Sequence, residues 1–361
     1  MMPRSHHRCI CGHPRSASLA GLIGWALVAL GLTATEPDPH NPVWVGQTMG
    51  SFYTVKLAGF DGATLELEKL KVEVDQALVE VNRQMSHYQT NSELSAFNQS
   101  QTTAPFKVSA DFATVCRFAL QLSRTSDGAF DPTLGPLINL WGFGKAGEKR
   151  KTPPESEIQR LRQLVGFHHL TATPDGALLK DLPQLQLNLS GITKGFGVDC
   201  MARVLHAHGH SNFLVQISGE TYASGRNPQG RPWRIGIDTP EPGHLPGERM
   251  EAVVALSNRA LSTSGDYRKF FVDEQGRRQC HILDPKTGRP VQHVLASVTV
   301  LAENTMTADA FTKPLFVLGT DRGLKWIEAR TNAAALFIER RPDGTFKIIP
   351  SSRFPAYQTQ P

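Results

Sequence analysis

The chain has 361 residues, 40% hydrophobic and 20% charged, with 31 Gly and 24 Pro, a globular composition with ample core that excludes a fibrous or disordered chain. The many Gly and Pro suit a site assembled from loops. A net charge of +5 is too mild to argue for nucleic acid, which needs clustered basic patches, and remains compatible with a phosphate-bearing ligand.

Residues 1–35 read as a secretory signal. Arg4, Arg8 and Arg15 precede an apolar run from Leu19 to Leu32, and small residues follow. The run is shorter than the roughly 20 residues a membrane span needs, and no Cys follows it to take a lipid. The expectation is an exported chain, in the periplasm or at the outer face of the inner membrane, associated with the membrane only if the segment stays uncleaved. The metal-like cluster His6, His7, Cys9, Cys11 and His13 lies in the segment to be removed.

A single α+β domain is expected over 43–350. Val43–Leu57 alternates like a strand interrupted at Met49-Gly50. Leu65–Gln84 has helical apolar spacing, Ser92 starts a short helix, and Asp111–Ser126 reads as a further helix. "SDGAFDPTLGPLINLWGFGKAG" is an ordered loop, and Pro153–Val165 opens another helix. "LQLNLSGITKGFGVDCMARVLHAHG" predicts strand, turn and helix, with the helix ending at Gly209. His206, His208 and His210 then fall in its last turn and just beyond, where they complement the helix dipole. Strands alternate with turns up to Asn304. Two helices follow, over 305–319 and "DRGLKWIEARTN", and a hairpin turning at Asp343-Gly344 closes the chain. Cys116, Cys200 and Cys280 show no metal spacing and are expected to be buried and inert.

Three polar segments carry the chemistry. The glycine-rich turn at Gly191, Lys194, Gly195 and Gly197 allows backbone N–H groups and a Lys to hold phosphate, and equally reads as a tight strand–helix turn; it is neither a Walker A loop nor a dinucleotide fingerprint. His281 can serve as a general base near neutral pH or as a structural strand-end residue. Asp284 has turn chemistry. In "TMTADAFTKPLFVLG", Asp309, Thr312 and Lys313 share one helix face at i, i+3 and i+4.

Taken in order, "MGSFY", "MSHY", "SELSAFN", "GAFDPTLGPLINLWGFG", "LSGITKGFGVD", "ALSTSGDYRKFF", "HILDPKTGRPV" and "ASVTVLAENTMTADAF" resemble the FAD:protein FMN transferases, the ApbE family, from about Met49 to Gly319. The resemblance implies an α+β fold with mixed sheets, flanking helices and a central FAD cleft between two lobes. The implied activity is transfer of the FMN half of FAD to a Thr or Ser hydroxyl, with release of AMP. The implied acceptor is a flavoprotein subunit of a membrane redox complex. Alternatives are a non-catalytic FAD-binding protein and an FAD pyrophosphatase.

By match to the family's motifs, Met49, Tyr88, Ala129, Phe130, Asp131, Asn188, Lys194 and Leu283 contact FAD. Tyr88 occupies a position where Tyr accompanies transfer rather than hydrolysis. His281 matches the catalytic base, and the Gly191 carbonyl, Asp309 and Thr312 are the implied magnesium ligands. The sequence departs from the pattern twice: Asn188 stands where the family commonly has Asp, and Lys313 where it has the metal-binding Thr. Three outcomes follow. Thr312 supplies the hydroxyl and magnesium stays, Lys313 puts an ammonium in the ion's place, or activity is lost. Pro314 is expected to mark the first turn of its helix.

Overall fold

The computed structural model describes residues 38–144 and 150–359. The signal segment and its His/Cys cluster lie outside the described residues, as do Lys145–Lys149 within the Gly- and aromatic-rich loop. Asp38–Pro361 form one contact unit.

The central element is an eight-stranded sheet: β1 (Val43–Thr48), β2 (Ser51–Leu57), β3 (Phe213–Ile217), β4 (Glu220–Ser224), β5 (Arg259–Gly265), β6 (Leu295–Ala302), β7 (Ala333–Arg340) and β8 (Phe346–Pro350), lying side by side in chain order. Every pairing among the described residues is antiparallel, so the sheets are not mixed. Hairpin joints and neighbour-to-neighbour returns give antiparallel ladders, whereas a parallel pair needs a crossover. The expected break at Met49-Gly50 is the β1–β2 turn, with both residues at positive φ (50° and 69°), the mirror-image geometry that two-residue hairpins favour. The closing hairpin pairs β7 with β8 through a loop containing Asp343-Gly344.

Seven α-helices among the described residues are α1 (Thr64–Met85), α2 (Glu93–Gln99), α3 (Ala110–Thr125), α4 (Gly135–Leu140), α5 (Glu155–Arg162), α6 (Thr193–Ala207) and α7 (Thr305–Glu328). In α1, Leu70, Val74, Leu78, Val81 and Met85 recur at helical spacing and are buried. Part of this stripe packs on Tyr53, Val55 and Leu57 of β2. Ser92 caps α2, its Oγ accepting from the Ser95 N–H at 3.0 Å. The loop expected after α3 contains the short α4.

Helix α6 packs on β3 and β4, and α7 on β5 and β6. A three-stranded sheet (Trp233–Asp238, Met250–Leu256 and Tyr357–Thr359) contributes to the apolar cluster on Leu214, Leu261, Leu301, Leu336 and Ile338. Covered on both faces, β6 is buried at all eight positions, which explains its nearly unbroken apolar run. Among the described residues, no helix is long and apolar enough to cross a membrane.

Two expectations are corrected. Residues 185–189 are not a strand, although Leu185, Leu187 and Leu189 alternate inward. Their backbone bonds go instead to Asn98, whose side chain bridges the Leu187 N–H and C=O, and to the Pro132 carbonyl, which takes the Asn188 N–H. Pro314 lies well inside α7 rather than at its start. The two expected closing helices are α7 broken at Gly319, whose φ of 71° and ψ of 178° suit only glycine. His293 donates from Nε2 to the Phe316 carbonyl at 2.7 Å, just before the break.

Helices α6 and α7 cap each other. Asp199 of α6 accepts from the Thr305 and Met306 N–H groups at 2.7 and 2.8 Å, the first N–H groups of α7. Asp309 of α7 accepts through Oδ2 from the Gly195 N–H, in the first turn of α6, at 3.1 Å. Each carboxylate meets the donors and the positive dipole end of the other helix. The approach is tight, since a Cβ on Gly195 would lie 2.3 Å from the Thr305 carbonyl oxygen and 2.8 Å from Asp309 Cβ.

Gly195→Ala is therefore expected to lower stability by about 1–3 kcal/mol, because backbone on the neighbouring helix cannot yield cheaply. Urea denaturation checks this, and an unchanged midpoint would refute so close a packing.

Candidate active site

The reciprocal cap brings two distant segments together, and their charged side chains converge. Asp309 is fully buried; its Oδ1 accepts from Lys313 Nζ at 2.6 Å. The same ammonium donates to Thr312 Oγ1 at 2.9 Å and to the Asp309 carbonyl at 3.2 Å. Thr312 is also fully buried, its hydroxyl bonded to the Asp309 carbonyl at 2.6 Å and to Ser264 Oγ at 2.8 Å. Asp309 and Lys313 are thus not a solvent-exposed i, i+4 ion pair, since the acid is closed off from water.

Beside this pair lies a second one. Lys194 Nζ donates to Glu220 Oε1 at 2.6 Å, with the Glu220 side chain only 5% exposed and its Oε2 without a hydrogen-bond partner. Burial pulls the Lys194 ammonium down, but Glu220 and Asp309 outweigh it and hold Lys194 above its ordinary value. Burial raises Glu220; Lys194 and Lys313 oppose this, and Asp309 reinforces it. Burial, followed by Lys194 and Arg150, pushes Lys269 down.

His281 faces this cluster. Its backbone N–H donates to the Lys269 carbonyl at 3.1 Å, while its ring Nδ1 is buried without a hydrogen-bond partner. Burial first, then the Lys269, Lys313 and Lys194 ammonium groups, push the imidazole down to about 3. It is therefore neutral at pH 7 and able to accept a proton.

The other expected contacts fall into two groups. Phe130 and Gly191 join the cluster: a Cβ on Gly191 would lie 3.3 Å from Cγ and Cε of Lys313 and 3.7 Å from Phe130. Met49 lies against α6, since a Cβ on Gly197 would meet its Cε at 2.9 Å. Its positive φ is that of the β1–β2 hairpin turn. Tyr88 is 52% exposed beside His87, so its ring face is accessible.

Others shape loops. Both Asp131 oxygens are occupied, Oδ1 by the Thr133 N–H and hydroxyl and Oδ2 by the Phe167 N–H. Asn188 Oδ1 takes the Ser190 N–H and hydroxyl, setting the turn before Gly191. Ala129 and Leu283 are buried, with Leu283 packed in the cluster of Leu134, Leu137 and Trp141. Sequence reasoning missed Glu220 and Lys269. The available signals were an acid opening the strand "ETYAS" after Ser218-Gly219, and a Lys within "GDYRKFF".

The implied magnesium ligands do not fit a metal ion as they are arranged. Asp309 Oδ1 already carries the Lys313 ammonium and Oδ2 a backbone N–H, and the Thr312 hydroxyl is engaged. Among the described residues, no group of three or more His, Cys, Asp or Glu side chains could hold a metal. Cys116, Cys200 and Cys280 are free and buried, and burial raises all three thiols.

The model of the ApbE family matches residues 49–337. This chain belongs to the ApbE family. It is 41% identical over 341 residues to the FAD:protein FMN transferase of Haemophilus influenzae, covering 93% of this chain and 96% of that protein. Identity to the FAD:protein FMN transferase of Escherichia coli K12 is 35% over 315 residues, covering 86% and 88%. The solved structure of the flavin transferase ApbE from Vibrio cholerae superposes with a TM-score of 0.78 at 40% identity, covering 86% of this chain and 97% of that one. The antiparallel sheets with flanking helices are thus those of an ApbE-family fold.

The lowered His281 value has a consequence for stability. As pH falls from the ordinary 6.5 towards about 3, the unfolded chain binds a proton that the folded imidazole refuses, so native stability is lost over that window. Between about pH 7.5 and about pH 5.5 the wild type is expected to lose on the order of 1 kcal/mol more than His281→Gln. Urea melts at the two pH values measure this; equal losses would mean that His281 titrates normally.

Proposed function

We propose that this chain is an exported FAD:protein FMN transferase, moving the FMN moiety of FAD onto a Thr or Ser hydroxyl of an acceptor protein and releasing AMP. The acceptor hydroxyl attacks the phosphorus on the FMN side of the pyrophosphate. A new P–O bond forms, the bond to the AMP phosphate breaks, and AMP leaves with that electron pair. The hydroxyl proton passes to the His281 imidazole.

The observation that carries this reading is a neutral imidazole with a buried, unpartnered ring nitrogen, lying in the field of Lys269, Lys313 and Lys194. Phosphoryl transfer is largely a matter of positioning and of neutralising charge on the phosphoryl oxygens. Three ammonium groups supply that field. They also leave His281 a weak base until the pyrophosphate arrives. The incoming negative charge offsets the lysines and raises the imidazole, so basicity develops when substrate is present. Exposed Tyr88 supplies an aromatic face for stacking a ring of FAD.

The acceptor is a flavoprotein subunit of a membrane redox complex. The basic, apolar and small-residue pattern of the first 35 residues supports placing the chain in the periplasm or at the outer face of the inner membrane.

Purified mature protein, FAD and a flavin-acceptor domain are expected to yield AMP and fluorescent acceptor in equal amounts. Chromatography and in-gel fluorescence read the two products. AMP without labelled acceptor would identify a pyrophosphatase, and retained FAD without AMP a binding protein. His281→Gln is expected to lower turnover by roughly 10²–10⁴-fold, with FAD binding retained.

A further inference from the structure

We propose that the Lys313 ammonium is the resident cation of the pyrophosphate subsite, so that this chain engages FAD without a divalent metal ion. The inference rests on the FAD reading above and deepens it. Lys313 contacts all three residues that resemblance assigns to magnesium. Its stem packs over Gly191, and its ammonium sits on the Asp309 carboxylate and the Thr312 hydroxyl.

The seat is built, not incidental. The Asp309 side chain is 0% exposed and Lys313 22% exposed, so the pair is closed on the acid's side and open on the cation's. Removing the partner of a buried carboxylate is costly, so an ion reaching Asp309 must displace Lys313 rather than join it. Two of the three N–H donors are firmly used, at 2.6 and 2.9 Å. The third makes only the 3.2 Å contact with the Asp309 carbonyl, which already accepts from Thr312 at 2.6 Å. That donor is the one a phosphate oxygen can take. Lys is an ordinary phosphate partner acting as a point charge.

The surrounding charges agree. Lys194 is paired with Glu220, and Lys269 and His281 complete the wall, with Asp309 the acid beneath Lys313. Asn188, where the family pattern has an acid, bonds its own turn and adds no negative charge. Lys313 itself puts a cation where that pattern has a neutral hydroxyl.

The test follows FAD binding by flavin fluorescence in EDTA and in excess magnesium, for wild type and Lys313→Thr. Mn²⁺ uptake by electron paramagnetic resonance is the second readout. Wild type is expected to bind FAD equally in both buffers and to take up no Mn²⁺ in the complex. Lys313→Thr is expected to lose roughly ten- to a hundredfold affinity in EDTA, regain it with magnesium, and bind Mn²⁺. Loss of wild-type binding in EDTA, or stoichiometric Mn²⁺ in the wild-type complex, would overturn the proposal, and neither result needs the variant to fold. Undiminished metal-free binding by Lys313→Thr would overturn it as well. Metal-independent FAD binding without AMP or labelled acceptor would support the Lys313 assignment and sink only the transferase reading.

Discussion

The site depends on two helices that cap each other. Asp199 of α6 holds the start of α7, and Asp309 of α7 holds the start of α6. A carboxylate at a helix N-terminus is a common local device. Here the two are reciprocal, so the relative position of the helices is fixed at both ends of one contact. Gly195 makes it possible by leaving no Cβ between them. Because Lys194 sits beside Gly195, and Lys313 one turn beyond Asp309, the cap also sets the separation of two of the site's cations.

That geometry explains the electrostatics. Lys194, Lys269 and Lys313 face Glu220, Asp309 and one neutral imidazole, in surroundings dry enough to move several of these groups from their ordinary values. A site with excess positive charge and an unprotonated histidine is poised for an anionic ligand. The ligand's own charge then tunes the base. Much of the cost of concentrating like charges is met by the two ion pairs, so the cluster is stable before the ligand arrives.

The departures from the family pattern become intelligible in the same terms. A metal ion binds reversibly and must be supplied, whereas a lysine on a helix is permanently present and fixed by its backbone. An ammonium is weaker and less directional than a magnesium ion. The neighbouring Lys194 and Lys269 therefore matter more here than beside a bound divalent ion.

Much of the architecture was legible in the sequence because it is local. The apolar spacing of Leu65–Gln84 specifies α1, Ser92 the start of α2, Met49-Gly50 an interruption of the first extended segment, and Gly319 the boundary inside α7. Ordered motif blocks indicated the family, and spacing alone put Asp309, Thr312 and Lys313 on one helix face. Other features required the fold. Leu185–Leu189 alternates like a strand, yet its backbone partners are Asn98 and Pro132, which only tertiary structure supplies. Asp131 also anchors a loop, because Phe167 is brought to it from another segment. Glu220 and Lys269 reach the site from separate strands and loops. Sequence determined which residues could carry charge and which segments were helices; only the tertiary contact between α6, α7 and the sheet decided which charges would meet, since Coulomb energies depend on distance and burial rather than on order along the chain.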